Sequence, residues 1–306
     1  MNSPTKEPNE PAMNDRRDNL SAKTFCWSVR REIWENKSLY IAPLVVMVVE
    51  LFGFVVSTIG MADRRRAVLM LDPEKQTAVI SQPYDIIAMM MIFTAFVVAV
   101  FYCLDALYGE RRDRSILFWK SLPISDTSAV LGKFIIPVVV IPAITLLVII
   151  ATQFLMMLWS TVVLLPGGMA ATTWLRYPIV QQSFILLYGL IAVALWYAPI
   201  YGWCLLISGF VRRAAFLWAV MPLIVIVVFE KITFNTSHFG SMLWHRLTGF
   251  APAAFDFAGR AIPTTTALTQ MTPGRFLTTP DLWIGFAFAA AFVFAAIRLR
   301  RYAGPI

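Results

Sequence analysis

Six apolar runs, each near the length of a bilayer crossing, constrain this chain more than any other feature. A helix needs about 20 mostly apolar residues to cross a hydrocarbon core about 30 Å thick. The runs are Ser38–Gly60, Asp85–Leu107, Val130–Leu158, Ser183–Phe210, Ala214–Glu230 and Asp281–Ile297. No water in the hydrocarbon satisfies backbone N–H and C=O groups, so a spanning segment is a helix or a strand of a closed barrel. These runs are continuously apolar and do not alternate, which selects helices. Of 306 residues, 58% are hydrophobic and 14% charged; a soluble domain carries about 25% charged residues. The predicted fold class is an all-α integral membrane protein with six transmembrane helices. The third and fourth runs are long enough to tilt, and Pro137, Pro142 and Pro199 are expected to kink them.

Glu50 lies inside the first run, and its cost can be compared with the gain around it. A charge at the helix centre costs roughly 3 kcal/mol on the insertion scale, while each Leu, Ile, Phe or Val returns about 0.3 to 0.6 kcal/mol. The run holds thirteen of those four types, so insertion wins. An ionisable residue at membrane depth is a functional candidate by default. Glu50 is therefore a candidate for the translocation path or for an intramembrane polar contact between helices.

The net charge of +8 belongs to orientation rather than to nucleic acid, because no basic stripe is interleaved with stacking aromatics. With the N-terminus placed inside, the cytosolic segments hold seventeen Lys and Arg and the outer segments nine. That bias favours both termini in the cytosol. Arg64, Arg65 and Arg66 fall outside in this topology and oppose the bias; outer-leaflet headgroups or a substrate are the candidate partners.

Residues 1–20 are polar and rich in Pro and Asn, and are expected to be a disordered cytosolic tail preceding a transmembrane domain over 21–306. Over 21–37, Ala22, Phe25, Cys26, Val29 and Ile33 recur at helical spacing opposite Thr24, Arg31 and Glu35. This predicts an N-terminal amphipathic interfacial helix lying on the cytosolic leaflet, with packing on another protein segment as the alternative. Residues 231–280 are apolar and aromatic but too broken to span, so a re-entrant or interfacial segment is expected on the outer face before the last span.

Catalytic signatures are missing. Nothing matches the phosphate-binding loop G-x-x-x-x-G-K-[ST]; Gly132–Lys133 lacks the upstream glycine and the hydroxyl. No H-E-x-x-H and no G-x-S-x-G occurs. Cys26, Cys103 and Cys204 each lie in or beside an apolar segment and read as small buried hydrophobes. His238 and His245 are seven apart and share a helix face. That is not a metal-ligand spacing, and neither a metal nor a bound cofactor is expected on this chain. A membrane-embedded enzyme using Glu50 or the His238/His245 segment, and an ion-coupled secondary transporter with Glu50 as its carrier group, stand as alternatives. For the latter, the inverted repeats common in such carriers are not visible.

The segment between the second and third runs, 108–129, is patterned differently. Glu110, Arg111, Arg112, Asp113 and Arg114 come first, then Ile116, Leu117, Phe118 and Trp119, then Leu122 and Pro123. Ser125 or Asp126 is placed to cap the next helix. Topology alone would explain the basic residues but not the neighbouring acids, the aromatic cluster and the proline. Mixed charge beside an apolar patch suits the docking of a protein, although an amphipathic helix resting on lipid would share the pattern.

The run Ala106–Lys133, "ALYGERRDRSILFWKSLPISDTSAVLGK", resembles the permease subunits of type-2 ATP-binding-cassette (ABC) exporters. Glu110, Arg111, Leu117, Leu122, Pro123, Leu131, Gly132 and Lys133 match their pattern, and Val29–Leu44 resembles the entry helix and first span of one bacterial branch. One departure is Arg114–Ser115 where "GT" is common. The resemblance implies a non-catalytic permease that exports an unidentified substrate. It would pair with a second, identical or similar permease, sit among membrane lipids, and bind two copies of a separate ATPase that carries ATP and Mg. It makes 108–125 the coupling helix. Glu110, Arg111, Arg112 and Arg114 would pair with charges on the ATPase, and Leu117, Trp119, Leu122 and Pro123 would form the packed anchor.

Overall fold

The computed structural model describes residues 25–115, 125–256 and 268–302. The expected tail, the first residues of the amphipathic helix, and Leu117, Trp119, Leu122 and Pro123 lie outside these residues. The described part is helical apart from an isolated bridge between Phe255 and Met271. Among the described residues six helices are long and apolar enough to cross a membrane, so this is a multi-pass membrane protein.

Helix α1 covers residues 25–35. It is followed by α2 (Ser38–Ser57), α3 (Met61–Leu69), α4 (Pro73–Ala106) and α5 (Tyr108–Arg112). After the undescribed stretch come α6 (Asp126–Ile135), a π-helical turn (Ile136–Val140), α7 (Ile141–Leu164) and α8 (Thr172–Arg176). Then α9 (Ile179–Trp196), α10 (Ala198–Phe210) and α11 (Ala215–Phe234) lead to α12 (His238–Thr248), α13 (Phe250–Ala254), α14 (Pro273–Thr278) and α15 (Pro280–Tyr302).

Local sequence explains where these helices start, stop and bend. Ser125 caps α6, its hydroxyl accepting from the Ser128 N–H at 3.1 Å. Gly60 turns the chain from α2 into α3 at φ 71°, where a side chain would be strained. Pro137 lacks an N–H to donate, and the helix widens there into the π turn. Pro199 divides the predicted fourth span into α9 and α10, which meet at Tyr197. The second span begins well before Asp85: the polar first turns of α4, from Pro73, continue straight into the apolar helix.

The packed interior runs through α4, α9, α10 and α15, around Trp196, Tyr201, Cys103 and Leu205. A Cβ at Gly202 would lie 3.3 Å from the Ala289 carbonyl of α15, so the missing side chain lets these two helices close up. Cys103 and Cys204 are buried as expected, whereas Cys26 is exposed. Many outward side chains are apolar, including Val48, Val49 and Phe52 of α2, and α11 buries only Ala219. Lipid tails are as apolar as these side chains, so such faces need no protein cover.

Two interfacial elements differ in detail from expectation. The apolar stripe of α1 packs on protein: Val29 and Ile33 join the main core, and Ser28 and Phe25 lie against Gly132 of α6. The opposite face exposes Trp27 and Trp34 with the Arg30 guanidinium over both rings, a composition suited to headgroups. The described residues of the segment before the last span fold back on the bundle. Trp196 Nε1 donates to the Arg246 carbonyl at 2.8 Å and Tyr188 Oη to the Ala254 carbonyl at 3.0 Å.

Gly202→Val is expected to destabilise the α10–α15 contact by about 1–3 kcal/mol, the usual range for overpacking. Gly53→Val, at a position with nothing within 4 Å, should leave stability nearly unchanged. Thermal unfolding of both variants in detergent checks this.

Candidate functional site

The strongest concentration of buried charge lies at one end of the bundle, where α1, α5, α6 and α15 meet. Lys133 Nζ, on α6, is 2.7 Å from Glu32 Oε1 of α1 and 3.2 Å from Glu110 Oε1 of α5. On the other side of Glu110, Arg300 Nη1 of α15 lies 3.0 Å from Oε2, and Arg300 Nε lies 3.3 Å from Asp126 Oδ1. Tyr102 Oη of α4 donates to Glu32 Oε2 at 3.0 Å, and Asn36 Nδ2 donates to the same oxygen at 3.3 Å. Glu32, Lys133 and Arg300 are each 5% exposed or less. Two cations and three carboxylates thus join elements up to 268 residues apart in the chain (Glu32 to Arg300).

Unpaired, any of these charges would be very costly at this depth; paired with opposite charges, they fix the relative placement of the helices. Burial works to raise the Glu32 carboxyl. The Lys133 ammonium and the hydrogen bonds from Lys133 and Tyr102 outweigh it, and Glu32 stays below its ordinary value of 4.5. A depressed carboxylate contributes stability that is present above 4.5 and is lost as pH falls through the lowered value.

The charged run divides into an inward and an outward part. Glu110 belongs to the buried brace. Arg111 is also buried; its Nη1 donates to the Gly209 carbonyl at 2.7 Å and the Val211 carbonyl at 3.2 Å, satisfying the end of α10. Ser208 Oγ accepts from the backbone N–H of Leu107 and Tyr108 across the same junction. Arg112 is half-exposed, with Asp113 at 3.0 Å and Asp105 at 3.8 Å. Arg114 is exposed and adopts φ 58°, the left-handed region that favours glycine. Of the four charges assigned to docking, the structure turns Glu110 and Arg111 into the bundle and leaves Arg112 and Arg114 at its surface.

Glu32, Lys133, Asp126 and Arg300 are absent from the sequence-derived site. The signal for Glu32 was present: with Phe25, Val29 and Ile33 it shares one face of α1, an acid inside an apolar stripe. Nothing in a linear pattern pairs it with Lys133 or Arg300.

The three arginines at the other end have separate partners. Arg64 reaches the Ser57 and Ile59 carbonyls at the end of α2. Arg66 pairs with Asp63 at 3.0 Å. Arg65 is buried, and its Nη2 donates to Thr173 Oγ1 of α8 at 3.3 Å.

Glu50 is 7% exposed, and neither carboxyl oxygen has a hydrogen-bond partner. Glu230 accepts from Thr236 Oγ1 and from the His238 and Phe239 N–H groups, which caps the start of α12. His245 Nε2 lies 3.1 Å from Asp281 Oδ2. Among the described residues no group of three or more His, Cys, Asp or Glu could hold a metal ion. No family model, no curated protein and no solved structure matches this chain.

Lys133→Met leaves Glu32 and Glu110 without their shared cation and is expected to cost about 3–5 kcal/mol, the range for breaking a buried pair. The Glu32→Gln/Lys133→Met double variant should recover part of that loss, because the two sites are coupled. Thermal melts of the wild type should weaken as pH drops below 4.5, and Glu32→Gln should flatten that slope.

Proposed function

We propose that this chain is the permease subunit of an ABC exporter, moving an unidentified substrate across the inner membrane. Energy would come from ATP and Mg on a separate ATPase, two copies of which would bind a pair of identical or similar permeases. The chain itself would catalyse nothing. The resemblance of Ala106–Lys133 to type-2 exporter permeases motivates the reading. The observation that carries it is mechanical: the charged segment is fastened to the bundle at its root. Glu110 and Arg111 tie that root to α6, α15 and the α10–α11 junction, and Lys133 extends the tie to α1. A push applied to 108–125 would reach several helices at once, as a lever between two bundle states requires.

In this reading the docking charges are Arg112 and Arg114, with Leu117, Trp119, Leu122 and Pro123 as the apolar anchor. Glu110 and Arg111 are positioning residues that hold the lever. The departure at Arg114 also acquires a meaning. The backbone there takes the conformation glycine favours, at the position where glycine is common in the resembled pattern. That substitution costs about 1–2 kcal/mol.

A second reading, an ion-coupled secondary transporter, draws on Glu50, whose two buried oxygens lack partners. Glu50→Gln separates the two: it should abolish ion-coupled uptake but leave ATP-driven export running.

Docking is tested by co-expressing the chain with the ATPase encoded beside its gene. The wild type should co-purify with it. Arg112→Glu/Arg114→Glu should lower recovery of the ATPase at least tenfold while the melting temperature holds. A wild type that captures no ATPase, or a variant that binds normally, removes the docking role.

A further inference from the structure

A cavity of about 200 Å³ opens between α2, α3 and α4 at the end opposite the brace. Its apolar wall includes Phe54, Val68, Ile80 and Pro83, while Arg64 and Arg65 supply the charge. Arg65 is 5% exposed, and its Nη1 is buried without a hydrogen-bond partner. Among the described residues no carboxylate pairs with it. The acids nearest in sequence are spent elsewhere, Asp63 on Arg66 and Asp72 on Lys75. Arg64 spends its Nη2 on two carbonyls, and Thr173 holds the Nη2 of Arg65.

A guanidinium cannot shed its charge in a protein. An unpaired buried charge costs several kcal/mol, so this one calls for an anion. The surroundings narrow the choice. A guanidinium with its Nη1 free matches an oxygen of a carboxylate or phosphate, and the apolar wall matches a hydrocarbon chain. The cavity lies where α2 ends and α3 begins; Val79 of its wall is exposed, as are Ile59 and Met70 just before and just after α3. Such a rim suits the boundary between headgroups and acyl chains. We propose that this cavity binds an amphiphile with a single anionic head, the head on Arg65 and the tail along Phe54 and Ile80. The source is either a bilayer phospholipid or a free amphiphile of the same chemistry. The site is independent of the ATPase reading and would stand if that reading failed.

The test uses the full chain purified in a non-ionic detergent and titrated with dodecyl phosphate, dodecyltrimethylammonium and inorganic phosphate, with binding read by thermophoresis. Dodecyl phosphate should bind at least tenfold more tightly than either of the other two. Arg65→Gln should weaken it at least tenfold. Because Arg65 also holds Thr173, a second variant, Val79→Trp, narrows the cavity and keeps the guanidinium; it should weaken binding to a similar extent with the melting temperature retained. Repeating the titration in phosphatidylglycerol and phosphatidylcholine nanodiscs assigns the source. Weaker dodecyl phosphate binding in phosphatidylglycerol identifies a lipid headgroup as the resident, and equal binding in both identifies a free amphiphile. Equal affinity for the cationic detergent, or affinity unchanged in both variants, overturns the proposal.

Discussion

One ammonium group organises an entire end of this protein. Lys133 sits between Glu32 and Glu110, and the geometry of four helices follows from its need to be neutralised away from water. Helix–helix contacts in a membrane gain little from hydrophobicity, because lipid competes equally well for apolar faces. Contacts between apolar faces are therefore free to slide. An ion pair of 2.7 Å is not, and its second carboxylate is held in turn by Arg300. The brace supplies the register that apolar packing leaves loose.

The two ends of the bundle use charge in opposite ways. At the brace end, cations and carboxylates are matched across helices, and the orphan carbonyls of α10 are met by Arg111. At the far end Arg65 is buried with an incomplete set of partners beside an open cavity. The brace matches each cation with a carboxylate, whereas the guanidinium of Arg65 has none among the described residues. Between them the lipid-facing surface carries little specificity: α11 is nearly all exposed, and its contribution is length and hydropathy.

Much of the fold was legible because lipid imposes a simple rule on a chain. Length and hydropathy located six spanning helices, proline located the break near Pro199 and the widened turn at Pro137, and Ser125 marked the start of α6. The site was legible only in part. The charged run at 110–114 stood out, yet its pattern read as four outward charges. Helical rotation turned Glu110 and Arg111 inward, and local spacing does not report which neighbour waits there. The periodicity of α1 identified an apolar face correctly but assigned it to lipid, since lipid and protein look alike to a hydrophobic stripe.

By itself the sequence determined class and span number, because these depend on local composition and on the backbone's need for internal hydrogen bonds in lipid. The tertiary structure alone decided which charges meet. Glu32, Lys133 and Arg300 are separated by roughly one hundred residues or more, and Arg65 reaches Thr173 across 108 positions. Pairing over such separations is set by how the helices pack in three dimensions, and a single chain read end to end carries no record of that.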